Sequence, residues 1–151
     1  MVKGMTAITP HLVVKGAARA IEYYVQALGA RELTRFVDQK LAPGGFVVHA
    51  DLEIGGARFS LAEENVEWHN RAPERPDGPV VLTLTVDDAD GVFDAMVRHG
   101  AGVVFPLADQ FYGHREGRVR DPFGHSWIVS QVTEQLSPEE VQRRVDRFHD
   151  R

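Results

Sequence analysis

The chain repeats itself, and that repeat constrains its fold more than any other feature. Residues 12–30 read LVVKGAARAIEYYVQALGA and residues 84–101 read LTVDDADGVFDAMVRHGA. Each is a short apolar strand, a turn, an amphipathic helix and a closing Gly-Ala. Val14 matches Val86, and Gly29-Ala30 matches Gly100-Ala101, with spacings that differ by one residue. In the second copy Ala89, Val92, Phe93, Met96 and Val97 recur at the i, i+3, i+4, i+7 spacing of one apolar helix face. In the first copy Ala17, Ile21, Tyr24, Val25 and Leu28 form that face, and Gly29 terminates it. Asp87 is the expected N-cap of the second helix, with Asp88 and Asp90 favoured at its positive end.

Strand patterns follow each helix, at roughly 31–37, 46–54 and 57–62 and again at roughly 102–106, 115–120 and 125–131. Gly55-Gly56 and Asp121-Pro122-Phe123-Gly124 mark tight turns between the last two strands of each set. Each half therefore reads as a βαβββ module. The expected organisation is a first module over 7–62, a Pro- and Gly-containing linker over 63–79, a second module over 80–133 and a C-terminal helix over 137–150. Ser137-Pro138-Glu139-Glu140 opens that helix as a capping box with proline at its first position. Val141, Val145 and Phe148 give it an apolar stripe, which predicts docking on the body of the protein or on a partner subunit. The fold class is α+β: paired βαβββ modules forming a curved mixed sheet with a concave pocket, plus the C-terminal helix.

Composition narrows the chemistry. The chain has 151 residues, 43% of them hydrophobic, and no cysteine. Thiolate metal sites and cysteine nucleophiles are therefore excluded. A net charge of −5 argues against a nucleic-acid partner. No apolar run approaches the ~20 residues of a membrane span, and the opening Met1-Val2-Lys3-Gly4-Met5 lacks a signal-peptide core. A cytoplasmic location is the expectation.

Strand alternation assigns the faces. Leu82, Leu84 and Val86 face their helix, which leaves Val81, Thr83 and Thr85 on the open side. Pro10, Leu12 and Val14 do the same in the first module, leaving Thr9, His11 and Val13. On the strand at 49–54, His49, Asp51 and Glu53 oppose Ala50, Leu52 and Ile54. His11 and His49 thus share one concave face with two carboxylates. Such a set suits either a polar ligand pocket or a divalent metal held by His11, His49 and Glu53; singly, each residue is also explained as a solvated or singly hydrogen-bonded side chain. The segment Gln110-Phe111-Tyr112-Gly113-His114-Arg115 adds aromatic surface, hydrogen-bonding groups and a cation. That mixture suits a pocket mouth holding a planar or anionic small molecule, or a hairpin packed on a dimer partner. His125 lies beside the 121–124 turn in a structural or pocket-edge place. His69, His99 and His149 lie in the linker and at helix ends, where solvent exposure explains them.

With these motifs the chain resembles the vicinal oxygen chelate superfamily, which includes glyoxalase I, fosfomycin and bleomycin resistance proteins and extradiol dioxygenases. It is similar to the PhnB-like branch. The matching motifs are Thr9-Pro10, Ala20-Ile21-Glu22-Tyr23-Tyr24, Leu28-Gly29-Ala30, His49-Ala50-Asp51-Leu52-Glu53-Ile54-Gly55, Val86-Asp87-Asp88-Ala89-Asp90, Asp109-Gln110-Phe111-Tyr112-Gly113, Asp121-Pro122-Phe123-Gly124-His125-Ser126-Trp127 and Ser137-Pro138-Glu139-Glu140. The resemblance implies paired modules and a homodimer. It places the metal ligands of the metal-dependent members at Thr9, near Val81 and at Ile128, and neither Val81 nor Ile128 can donate to a metal. The leading expectation is a small-molecule binding protein of the bleomycin-resistance type that sequesters or carries a small polar or aromatic ligand. No cofactor is expected, and the ligand-binding residues are His11, His49, Thr83, Gln110, Tyr112 and Arg115. The alternative is a divalent-metal-dependent lyase, isomerase or dioxygenase using His11, His49 and Glu53. A third reading is an interaction module whose concave face meets another protein.

Overall fold

The computed structural model describes residues 4–148, so His149 and the last expected helical residue, Asp150, lie outside the described residues. The chain divides between Glu74 and Arg75 into two compact units.

In the first unit β1 (His11–Val14) leads through α1 (Ala17–Leu28) to β2 (Arg31–Asp38), β3 (Phe46–Ile54) and β4 (Ala57–Glu63). Its strands lie in the order β1-β4-β3-β2, with β1 parallel to β4 and the other pairs antiparallel. The second unit repeats this with β5 (Val81–Thr85), α2 (Ala89–Arg98), β6 (Gly102–Asp109), β7 (His114–Arg120) and β8 (Ser126–Val132). Its order is β5-β8-β7-β6, again with the first strand parallel to the last. The architecture is α+β, two βαβββ modules that each close a four-stranded mixed sheet.

Each helix covers one sheet face because its apolar stripe has nowhere else to go. Ala17, Ala20, Ile21, Tyr24 and Leu28 of α1 are buried with Leu12, Val14, Ala50, Leu52 and Leu61 of the strands. The ring of Tyr24 meets Phe59 edge-on at 5.3 Å. In the second unit Ala89 and Met96 are buried with Val119, Trp127 and Val129. Leu12, Val14, Ala50 and Leu52, assigned to the helix side by alternation, are buried, while Leu82, Leu84 and Val86 are half-buried.

Each module also anchors its helix start to the end of its own last strand. Glu63 accepts hydrogen bonds from the backbone N–H groups of Gly16 and Ala17. Gln131 accepts one from Ala89 N at 3.0 Å. These bonds satisfy donors that a helix leaves unpaired. α1 ends at Gly29 in the left-handed conformation. The N-cap of α2 is Asp88 rather than the expected Asp87: its carboxylate accepts from Gly91 N at 3.0 Å, because the helix begins one residue later than the Asp-Asp pair suggested.

Asp121 holds the 121–124 turn. It is 3% exposed and accepts from Phe123 N, His125 N and Trp127 Nε1. After β8, α3 (Pro138–Phe148) starts with Ser137 Oγ accepting from Glu140 N. Arg144 then ties α3 to its own unit, donating to Phe111 O at 2.9 Å and to Glu134. The rings of Phe111 and Phe148 stack at 4.8 Å.

Candidate functional site

On the open face of the first sheet, one row of paired residues crosses all four strands. His11 pairs with Ser60, Ser60 with Asp51 and Asp51 with Thr34. His11 Nδ1 lies 2.7 Å from Ser60 Oγ, and Thr34 Oγ1 donates to Asp51 Oδ2 at 2.7 Å. His49, two residues before Asp51 on the same face, lies 3.0 Å from Asp51 Oδ1 through Nε2. The imidazoles of His11 and His49 stack with centroids 5.7 Å apart, and Phe36 lies 6.4 Å from His49. The expected meeting of His11 and His49 is thus present in the structure.

The electrostatics follow from these contacts. Loss of solvent pulls the His11 pKa below its ordinary value, and the neighbouring His49 adds to that, while Asp51 works against it. The hydrogen bond from Thr34 and then that from His49 hold the Asp51 carboxyl below the usual carboxylate range.

The second sheet carries a different row at the same register. Thr83 pairs with Ile128, Ile128 with Arg118 and Arg118 with Phe105. Arg118, Ile128 and Phe105 line a cleft of about 420 Å³, with Gln110, Tyr112 and Glu116 at its polar side. The Tyr112 hydroxyl donates to Glu116 Oε1. Burial and this carboxylate push the phenol up to about 12. His114 Nδ1 lies 3.0 Å from Ser130 Oγ and 3.8 Å from Glu116.

Of the sequence-derived ligand residues, Gln110 and Tyr112 line this cleft, and Thr83 is exposed beside Ile128 in the row. Arg115 does not join them. It lies on the helix side of β7, donating to Asp90 at the start of α2 and to Asp109. Alternation along β7 puts Glu116 and Arg118 on the open face instead. Those two, with Phe105, Ser60 and Thr34, are site residues that sequence reasoning missed. The buried Val119 carried the signal, since its parity sends Arg118 to the opposite face.

The metal-ligand places implied by the resemblance can be tested against the donors present. Thr9 is an exposed hydroxyl residue just before β1, and Val81 and Ile128 are hydrocarbon. A catalytic divalent site needs about three donors, so these side chains do not fit the group. The alternative set of His11, His49 and Glu53 does not converge. Glu53 is four residues beyond His49, about 13 Å along a strand, and its carboxylate faces Arg31 at 3.2 Å and Arg58 at 4.0 Å. Among the described residues no group of three or more His, Asp or Glu is placed to hold a metal ion.

Known proteins share this frame. Protein Mb0911c of Mycobacterium bovis, itself uncharacterized, is 39% identical over 140 residues, covering 90% of each chain. The crystal structure of TioX from Micromonospora sp. ML1 superposes with a TM-score of 0.62 at 25% identity, covering 87% of this chain and all of that one. The PhnB protein of Bacillus cereus gives 0.67 at 21% identity, covering 84% of this chain and all of that one, a likeness of fold. The family model of the glyoxalase/bleomycin resistance protein/dioxygenase superfamily matches residues 5–129. With two βαβββ modules in place and most of its length matched, the chain belongs to that superfamily.

Proposed function

We propose that this protein binds a small polar or aromatic molecule on its open sheet faces and needs no resident metal to do so. One observation carries the reading: the open face of the second sheet gathers Phe105, Arg118, Tyr112 and Ile128 around a cleft of about 420 Å³, and Val81 and Ile128, where the resemblance implies metal donors, are hydrocarbon. A cleft of that size with an apolar wall and a few convergent polar groups is what small-molecule sites look like. Binding would sequester or carry the ligand, in the manner of the bleomycin-resistance type. The PhnB-like motifs of the sequence extend the reading to that branch, and the PhnB protein of Bacillus cereus shares the fold. A homodimer is part of the proposal, and light scattering on the purified chain tests it.

Two measurements test the function. Elemental analysis of protein purified without chelator is expected to find no stoichiometric metal. Bound Zn, Ni, Mn or Fe that disappears in a His11→Ala, His49→Ala double variant would overturn the reading and favour the metal-dependent lyase, isomerase or dioxygenase. A thermal-shift screen of small molecules is expected to yield ligands. One at 100 times its Kd adds about 2.7 kcal/mol, or roughly 5–10 °C for a chain of this size.

A further inference from the structure

We propose that the cleft of the second unit is a carboxylate site for a flat, apolar monoanion, with Arg118 as the group that reads the carboxylate. This rests on the ligand-binding reading above and names the ligand class.

Arg118 is the starting point. Its Nε is buried and has no hydrogen-bond partner. Arg115, three residues earlier, holds two carboxylates. Arg118 has no ion pair with any described residue, and its guanidinium instead lies 5.6 Å from the centroid of the Phe105 ring. A buried donor without an acceptor costs free energy until something accepts from it. Nε is closed off from solvent, so a ligand meets this guanidinium through its Nη–H groups at the cleft, whose planar arrangement matches the two oxygens of a carboxylate.

The surroundings select what is attached to that carboxylate. Phe105, Arg118 and Ile128 stand in register on β6, β7 and β8, so a ring, a cation and a branched aliphatic lie side by side. Pro106 extends the apolar wall. The register slip between Phe105 and Ala108 brings Leu107 N to within 2.8 Å of where a Cβ on residue 117 would stand, and Phe93 of α2 comes equally near. Only glycine at 117 lets the bulged strand β6 close against β7 there, which keeps Phe105 beside Arg118.

Charge sets the limit of one anionic group. Glu116 lies on the same face, two residues from Arg118, about 7 Å along the strand. It is held by the Tyr112 hydroxyl and lies 3.8 Å from His114 Nδ1. A second carboxylate on the ligand would meet Glu116 rather than a cation. The neutral rim of Gln110 and Tyr112 accommodates a hydroxyl or carbonyl.

Isothermal titration of the full chain at pH 7.5 with three probes tests this: 2-naphthoate, 2-naphthamide and naphthalene-2,6-dicarboxylate. The monoanion is expected to bind about tenfold or more tighter than the amide, and tighter than the dianion. Arg118→Met should remove that advantage, bringing naphthoate down to the affinity of naphthamide, while Arg118→Lys should restore part of it. Ile128→Glu, which supplies an internal carboxylate beside Arg118, should block naphthoate even if Arg118→Met fails to fold. Equal binding of naphthoate and naphthamide would overturn the proposal, as would naphthoate binding that survives both Arg118→Met and Ile128→Glu. Failure of all three naphthalenes overturns the ligand class, but it leaves the broader binding reading intact if other library compounds raise the melting temperature. Only an empty thermal-shift screen removes both.

Discussion

The two units lay the same row across their open faces and fill it with opposite chemistry. The hydrogen bonds from Glu63 and Gln131 to the helix starts fix the equivalence, because each stands three residues after the row residue of the last strand, Ser60 or Ile128. In the first unit the row reads His11, Ser60, Asp51, Thr34, and its polar atoms are bonded to one another. In the second it reads Thr83, Ile128, Arg118, Phe105, and Arg118 Nε is left without an acceptor. The backbone frame is therefore indifferent to what its open face carries. Free capacity for a ligand lies where a polar group has not already been answered from within.

The strongest way to break the symmetry is at the turn. Asp121→Ala removes the acceptor of three donors, including the buried Trp127 indole. The expected loss is about 3 kcal/mol, confined to the second unit. Hydrogen exchange should show residues 81–132 losing protection while 11–63 keep it; uniform loss would mean that the two units do not open separately.

A smaller effect separates the two helix anchors. Glu63 brings a full charge to the positive end of α1 and accepts from two N–H groups, whereas Gln131 brings a neutral amide to one. Glu63→Ala is expected to cost about 1–2 kcal/mol and Gln131→Ala about 1 kcal/mol or less, read from chemical denaturation. Equal costs would mean that the charge contributes nothing.

Acidity should touch the rows unequally. His11 has a folded pKa below the 6.5 of the unfolded chain, lowered by lost solvent and by His49. Between those two values the unfolded state binds more protons, so His11 contributes stability that is complete above pH 6.5 and declines as pH falls toward its folded pKa. Asp51, whose pKa is also lowered, adds a loss of the same sign only below about pH 4. Melting temperatures from pH 8 to 5 should fall less steeply in His11→Gln than in the parent; identical slopes would show that His11 has no part in them.

The smallest change is expected at Arg115. Its ion pairs with Asp90 and Asp109 join exposed groups. Pairs of that kind contribute little. Arg115→Ala should leave the thermal melt and any naphthoate affinity unchanged. A loss of affinity there would move the cation site back to the helix side of β7.

The frame was legible in the sequence because it rests on strong local signals. The duplicated strand–helix–Gly-Ala pattern, Gly55-Gly56 and Asp121-Pro122-Phe123-Gly124 each specify geometry on their own, and strand alternation put His11 and His49 on one face. The second row was harder to read. β7 runs His-Arg-Glu-Gly-Arg-Val-Arg, and Val119 is the one apolar side chain in it to set the parity. Arginines at 115, 118 and 120 look alike as letters, and Arg115 stood nearest the aromatic loop. The bulge that keeps Phe105 beside Arg118 depends on Gly117, Leu107 and Phe93, three residues with no shared sequence pattern. Partners such as Ser60 and Thr34 become visible only when strands far apart in the chain are set in register.

The parallel pairing of first strand with last has a consequence in time. β1 meets β4, and His11 finds Ser60 49 residues away. No shorter piece of the module gives β1 a partner, since β2 and β3 pair only with each other and with β4. During synthesis the first sheet must therefore wait until Glu63 has emerged. The nascent chain carries an amphipathic α1 and an unpaired β1 until then, and a single late event closes strand, helix anchor and open face together.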